Sequence, residues 1–204
     1  MNRYLLCLGL ATMLVASACE KSSIVPEFVN DAVSLSSKGT ANCYIAKPGT
    51  TVSFSVACKG NSSTDAISGV SSLKVVWQDV KGLVKELYLD AAAKMAYAEL
   101  SDASGNAVVA VCDDSGAILW SWHLWVSDYD PSKTLFTTPA NASGTTWVFM
   151  DRNLGAITAS PEGFGSHGLI YQWGRKDPFP GAASYTKQNE DYSYVNDGEP
   201  DLYD

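Results

Sequence analysis

From Ala41 to Asp130 the chain alternates short apolar runs with polar turn clusters. The runs are CYIA (43–46), VSFSVAC (52–58), LKVVWQDV (73–80), LVKELYLD (83–90), KMAYAEL (94–100), AVVAVC (107–112) and AILWSWHLWV (117–126). Between them stand KPGT, KGNSSTD, DASGN and DDSG, built from residues that reverse a chain. Seven strand-length runs at this spacing predict a mainly β fold, an Ig-like β-sandwich over 41–130. One stretch is ambiguous. Val80, Val84, Leu87, Ala91, Met95 and Ala98 also fit a helical stripe, and three consecutive alanines favour helix. Gly82 and Asp90 punctuate the segment, and its neighbours have period two, so two strands joined by a turn are expected there.

Phase assigns the faces. In the last run Ile118, Trp120, Trp122, Leu124 and Val126 share one side and form core. Leu119, Ser121, His123, Trp125 and Ser127 make a mixed face, suited to docking a neighbouring module or to stacking a sugar. Pro48-Gly49 reads as a hairpin turn. A simple hairpin register then puts Cys43 and Ile45 inside with Val52, Phe54, Val56 and Cys58. On that phase the thiols act as small hydrophobes, with a disulfide as the minority reading.

Beyond residue 130 the pattern changes. Residues 131–144, with Pro131, Pro139 and NASG, read as a linker. A second unit, 145–204, opens with TTWVFMDRNLGA, a strand running into a turn. At the other end Asn2 and Arg3 precede an apolar stretch, Tyr4 to Val15, that is followed by small residues. This is the layout of a secretory signal peptide over 1–18, and it falls short of the roughly 20 apolar residues that span a bilayer. ASAC at 16–19 resembles a bacterial lipobox. That resemblance implies acylation of Cys19 and a membrane attachment, with 19–40 as a tether.

Composition narrows the field. Apolar residues make up 46% and charged residues 18% of the chain, which excludes a disordered protein. A net charge of -8 excludes sequence-independent nucleic-acid binding, which needs a basic surface. Of five cysteines, Cys43, Cys58 and Cys112 remain beside the leader and the lipid site, and no Cys/His spacing fits a metal. No cofactor is implied. GFGSHG (163–168) matches a dinucleotide fingerprint by letters alone, with no strand before it and no helix after it. Adjacent Ser166 and His167 lack an orienting carboxylate. NDGEPD (196–201) fails the EF-hand ligand positions and reads as a solvated acidic loop.

WVFMDRNLGA (147–156) and GLIYQWGRKDPF (168–179) resemble the opening of the Fibrobacter succinogenes major paralogous (FISUMP) domain. The upstream ANCYI, VVWQDV, GNAVVAV and ILWSWHLWV are similar to the β-module that precedes that domain in many Bacteroidetes lipoproteins. The resemblance implies an α+β second module, incomplete within this chain, on an outer-membrane lipoprotein at the cell surface or periplasmic face. A distant likeness of that family to formylglycine-generating enzymes transfers no catalysis, because their chemistry needs cysteines and none follows Cys112.

The best polar constellation is Asp151, Arg152 and Asn153 with Arg175, Lys176 and Asp177. It suits a structural salt-bridged network, or bidentate contacts to an acidic sugar or peptide carboxylate. With His123, Trp125, Tyr171 and Trp173 as aromatic contacts, the expected function is a non-catalytic envelope module binding a glycan or protein partner. A glycan-processing enzyme is the competing class; it needs two carboxylates across one cleft, roughly 5–10 Å apart, and Asp151 with Asp177 is the pair to examine. A structural spacer or assembly subunit is the third.

Overall fold

The computed structural model describes residues 25–181. The signal-peptide region, Cys19 and the acidic segment with NDGEPD lie outside the described residues. Among those described, ten strands follow one another: β1 Val33–Ser34, β2 Cys43–Ala46, β3 Thr51–Ser55, β4 Ser72–Gln78, β5 Val84–Asp90, β6 Met95–Leu100, β7 Gly105–Cys112, β8 Ile118–Val126, β9 Leu135–Thr137 and β10 Val148–Met150. The fold is mainly β. No helix among the described residues is long and apolar enough to cross a membrane.

Two four-stranded sheets carry the core, in the orders β1-β3-β6-β5 and β2-β8-β7-β4. Their facing sides meet in one cluster: Val52, Phe54, Ala96 and Ala98 from the first, Tyr44, Val109, Trp122 and Leu124 from the second. Phe54 sits at the centre, fully buried, with ring centroids 5.7 Å from Tyr44 and 5.4 Å from Trp122. Offset aromatic contacts of this kind add to the area they bury.

The ambiguous stretch resolves into β5 and β6, an antiparallel pair with Leu87 opposite Ala98 and Asp90 opposite Met95. Asp90 Oδ1 accepts the Ala93 N–H at 2.8 Å, and Lys94 takes a left-handed φ of 54°. The alanines therefore serve a side-chain-capped turn, against their helical preference.

The KPGT reading needs correction. It does not close a hairpin; it carries the chain from one sheet to the other. β2 pairs in parallel with β8, Cys43 beside His123 and Tyr44 beside Leu124, while β3 pairs with β6. The phase of β2 is thus set by β8, so Tyr44 and Ala46 point inward and Cys43 and Ile45 point outward. All three described cysteines are free: Cys43 exposed, Cys58 half-buried and Cys112 buried. A second correction concerns Ile118. The register of β7 and β8 shifts so that Val111 faces Trp120 and Cys112 faces Ile118. One extra residue, Leu119, turns Ile118 to the outer side, where it packs with Val76, Trp77, Val108, Ala110 and Leu169.

The stretch read as tether contributes to the sandwich from β1 onward: Val33 pairs with Val52, and Leu35 packs against the core. The stretch read as linker contains β9, which pairs with β10 through Phe136 and Phe149. After β10 the chain runs as turns over the outer side of the second sheet, with a 3-10 turn at Phe164–Ser166 and a bridge between Ile170 and Phe179. No α-helix occurs among the described residues of the second unit.

Phe54→Ala removes the ring that both sheets share. The expected loss is about 3–5 kcal/mol of unfolding free energy, measured by denaturant titration; a loss below about 1 kcal/mol would mean the sheets do not meet at that ring.

Candidate functional site

Alternation in β8 sends Ser121, His123 and Trp125 to the outer side of the second sheet, and each finds a partner within the chain. Trp125 Nε1 donates to the Ala156 carbonyl at 3.2 Å. His123 Nε2 lies 2.9 Å from Asn106 Oδ1, and Asn106 Nδ2 donates both to Asp79 Oδ2 and to the Gly155 carbonyl, each at 2.9 Å. With its amide nitrogen spent on two acceptors, Asn106 offers its oxygen to an Nε2–H. His123 Nδ1 is then the acceptor, and the Cys43 thiol, 3.1 Å away, donates to it. Gly155 makes the close approach possible: its φ is +79°, and a Cβ there would lie 2.4 Å from Leu169 Cγ.

Thiol, imidazole and amide stand here in the sequence of a Cys-His-Asn acyl-transfer triad. Their electrostatics are those of an inert contact. Burial holds His123 down to about 4, and although Cys43 keeps solvent exposure as a residue, the packing around its sulfur pushes the thiol up to about 12. At neutral pH both partners are uncharged, and the thiolate that does nucleophilic chemistry is absent. The sequence phase that turned Cys43 inward left no signal for this contact; only the parallel register of β2 and β8 creates it.

A second polar contact closes the other end of the face. Lys176 Nζ donates to the Ser121 carbonyl at 2.8 Å, to Ser121 Oγ at 2.7 Å and to Asp177 Oδ1. Ser121 Oγ in turn donates to Asp177 Oδ2 at 2.5 Å. Three ammonium hydrogens meet three acceptors, so the pair is satisfied although Asp177 is only 4% exposed. Burial pulls Lys176 below its ordinary range against the opposing pull of Asp177.

These contacts sort the expected site residues. His123 and Trp125 are 3% and 1% exposed, so they dock the second unit and present no open surface to a ligand. This corrects their expected place among the ligand contacts; the mixed face serves the docking alternative. The polar constellation is two separate networks. Asp151 and Arg152 pair with each other, Nε to Oδ1 at 2.7 Å and Nη2 to Oδ2 at 3.1 Å, while Asn153 Nδ2 holds the Ser166 and His167 carbonyls. Arg175 stacks over Phe179 at 4.0 Å and donates to the Asp177 carbonyl at 3.1 Å. Asp151 lines a 610 Å³ cleft with Phe149 and Asn153, and Asp177 lines a different one of 320 Å³ with Trp120 and Gly174. Among these clefts the two carboxylates line different ones, whereas glycoside hydrolysis between them requires a shared one.

What remains open to solvent is aromatic. Trp173 is fully exposed, beside exposed Ile170, whereas Tyr171 is 45% exposed and burial of its hydroxyl near Cys43 pushes the phenol above its ordinary range. Phe136, Trp147 and Phe149 are exposed on and beside the β9–β10 hairpin. Exposed apolar side chains grouped in this way, at Ile170 to Trp173 and on the β9–β10 hairpin, are candidates for contact sites. No family model, curated protein or solved structure matches the chain.

The buried network has a pH signature. His123 has a folded pKa of about 4, depressed from 6.5, so it contributes stability above pH 6.5 that is lost as pH falls through 4, roughly 3 kcal/mol. Burial raises Asp79 from 3.8 to about 6, so its contribution has the opposite sign: it is present below 3.8 and lost as pH rises through 6, again roughly 3 kcal/mol. Between pH 6 and 4 the two nearly cancel. Asp79→Asn removes one of them, and its melting temperature is expected to fall more steeply from pH 7 to pH 4 than that of the parent chain. Parallel slopes in the two proteins would refute the assignment.

Proposed function

We propose that this chain is a non-catalytic interaction module of the cell envelope, held by a lipid at Cys19 and contacting a glycan or protein partner through the aromatic surface of its second unit. The basic start, apolar stretch and ASAC of residues 2–19 support export and acylation, and hence an outer-membrane lipoprotein at the surface or periplasmic face. The two quoted motifs support a FISUMP-like second module. Strand orders β1-β3-β6-β5 and β2-β8-β7-β4 support an Ig-like sandwich, in which four strands ordered A-B-E-D face a sheet holding C, F and G.

One observation carries the binding role. The sandwich folds Phe54, Trp77, Trp122 and Trp125 completely away, whereas the second unit leaves Trp173 wholly in solvent and Trp147 half-exposed. An indole ring exposed at such a surface is suited to stacking on a sugar face or filling a partner's pocket. His123 and Trp125 play the supporting role of fixing that unit to the sheet.

Trp173→Ala is expected to abolish capture of the partner on a glycan array and in envelope pull-downs. The melting temperature should stay near that of the parent, since exposed substitutions cost within about 0.5 kcal/mol. Unchanged capture, or loss of capture only alongside a large fall in melting temperature, would make this ring structural.

A further inference from the structure

A polar cleft of about 330 Å³ lies where the end of β8 meets the start of the second unit, lined by Asp128, Tyr129, Asp130, Lys133, Arg152 and Ile157 among others. Its volume is at the small end of ligand-binding clefts. Arg152 is the organising group. Asp151 grips Nε and Nη2, and the guanidinium lies 4.2 Å over the Tyr129 ring, so the plane is held from two directions. Nη1 is left with no acceptor among the described residues. Tyr129 itself is 6% exposed, and its hydroxyl is buried without a hydrogen-bond partner. The ring face under Arg152, and not the enclosed hydroxyl, is therefore what Tyr129 contributes to the cleft.

Charge decides the class of guest. Lys133 neutralises Asp130 at 3.1 Å and Arg152 neutralises Asp151, while the Asp128 carboxylate pairs with no cation among the described residues. The rim is therefore slightly negative on a chain of net charge -8, and an anion is repelled. A cation meets Lys133 and Arg152. The groups left over are the guanidinium hydrogens not taken by Asp151, an acceptor carboxylate at Asp128 and the apolar side chain of Ile157. That set matches adjacent hydroxyls and the C–H face of an uncharged sugar.

We propose that this cleft is a subsite for one neutral sugar ring, bound by hydroxyl contacts to Arg152 and Asp128. The proposal rests on the reading that the chain binds a glycan, and it names a second contact point away from Trp173. Saturation-transfer NMR on the full chain tests it with maltotriose, mannotriose, cellotriose and diacetylchitobiose as probes, and trigalacturonate as the charged comparison. At least one neutral probe is expected to bind, with affinity falling tenfold or more in Arg152→Gln and in Asp128→Asn. Arg152→Lys keeps the cation over Tyr129 and the charge beside Asp151 while losing the planar fork, so a folded Arg152→Lys protein should bind weakly too. Neutral-probe binding that persists in Arg152→Gln and Asp128→Asn but disappears in Trp173→Ala would overturn the cleft and leave the aromatic surface standing. Absence of any neutral-probe binding, or binding of trigalacturonate alone that salt abolishes, would overturn it as well.

Discussion

The second sheet is covered on both sides, and most of what distinguishes this molecule follows from that constraint. One side meets the first sheet through Phe54 and Trp122; the other is roofed by the turns of residues 155–177. A strand in such a position cannot alternate apolar and polar residues, because neither side faces water. β7 obeys: all eight of its residues, Gly105 to Cys112, are buried. Where polar groups enter the covered side they must be paired, and Asn106, His123, Ser121, Lys176 and Asp177 form two closed hydrogen-bond sets.

The sandwich was largely legible in the chain, element by element. Runs of the right length and turn clusters at the right intervals announce β2 to β8, and the punctuation at Gly82 and Asp90 outweighs the helical preference of three alanines because local turn chemistry is compatible with both neighbours. The reading failed wherever neighbours in sequence were assumed to be neighbours in a sheet. Pro48-Gly49 has hairpin chemistry, yet a sandwich also uses such turns to pass between sheets, and no local signal separates the two. A hairpin register turns Cys43 and Ile45 inward, whereas the parallel pairing of β2 with β8 turns them outward. The unpaired Leu119, a one-residue irregularity, is equally silent in the sequence, and it moves Ile118 to the opposite side.

The candidate site was legible in composition and not in assembly. Asp151, Arg152, Arg175, Lys176 and Asp177 are easily picked out as polar residues in an aromatic neighbourhood. Their division into two networks depends on which side chains the backbone brings within reach, and the decisive partners, Ser121, Asn106 and Tyr129, are residues of no obvious chemical promise. His123 illustrates the same limit. A histidine two residues from a tryptophan on one mixed face suits ligand contact and docking equally well until the covering segment is seen. Its burial makes the imidazole neutral, and with it the Cys43 contact loses the charge separation that reactive thiols depend on. Burial of this face thus sets both its packing and the neutral state of the Cys43–His123 contact.

That cause is best examined at Trp125, whose indole nitrogen bonds Ala156 and whose ring is fully enclosed, with Tyr129 5.2 Å away. Side-chain indole hydrogen exchange, followed by NMR at neutral pH, reads the cover over the second sheet directly. The account predicts that the Trp125 indole exchanges at least a hundredfold more slowly than that of fully exposed Trp173. Equal exchange at the two indoles would mean that the outer side of β8 is open to water, and the docked second unit would have to be abandoned.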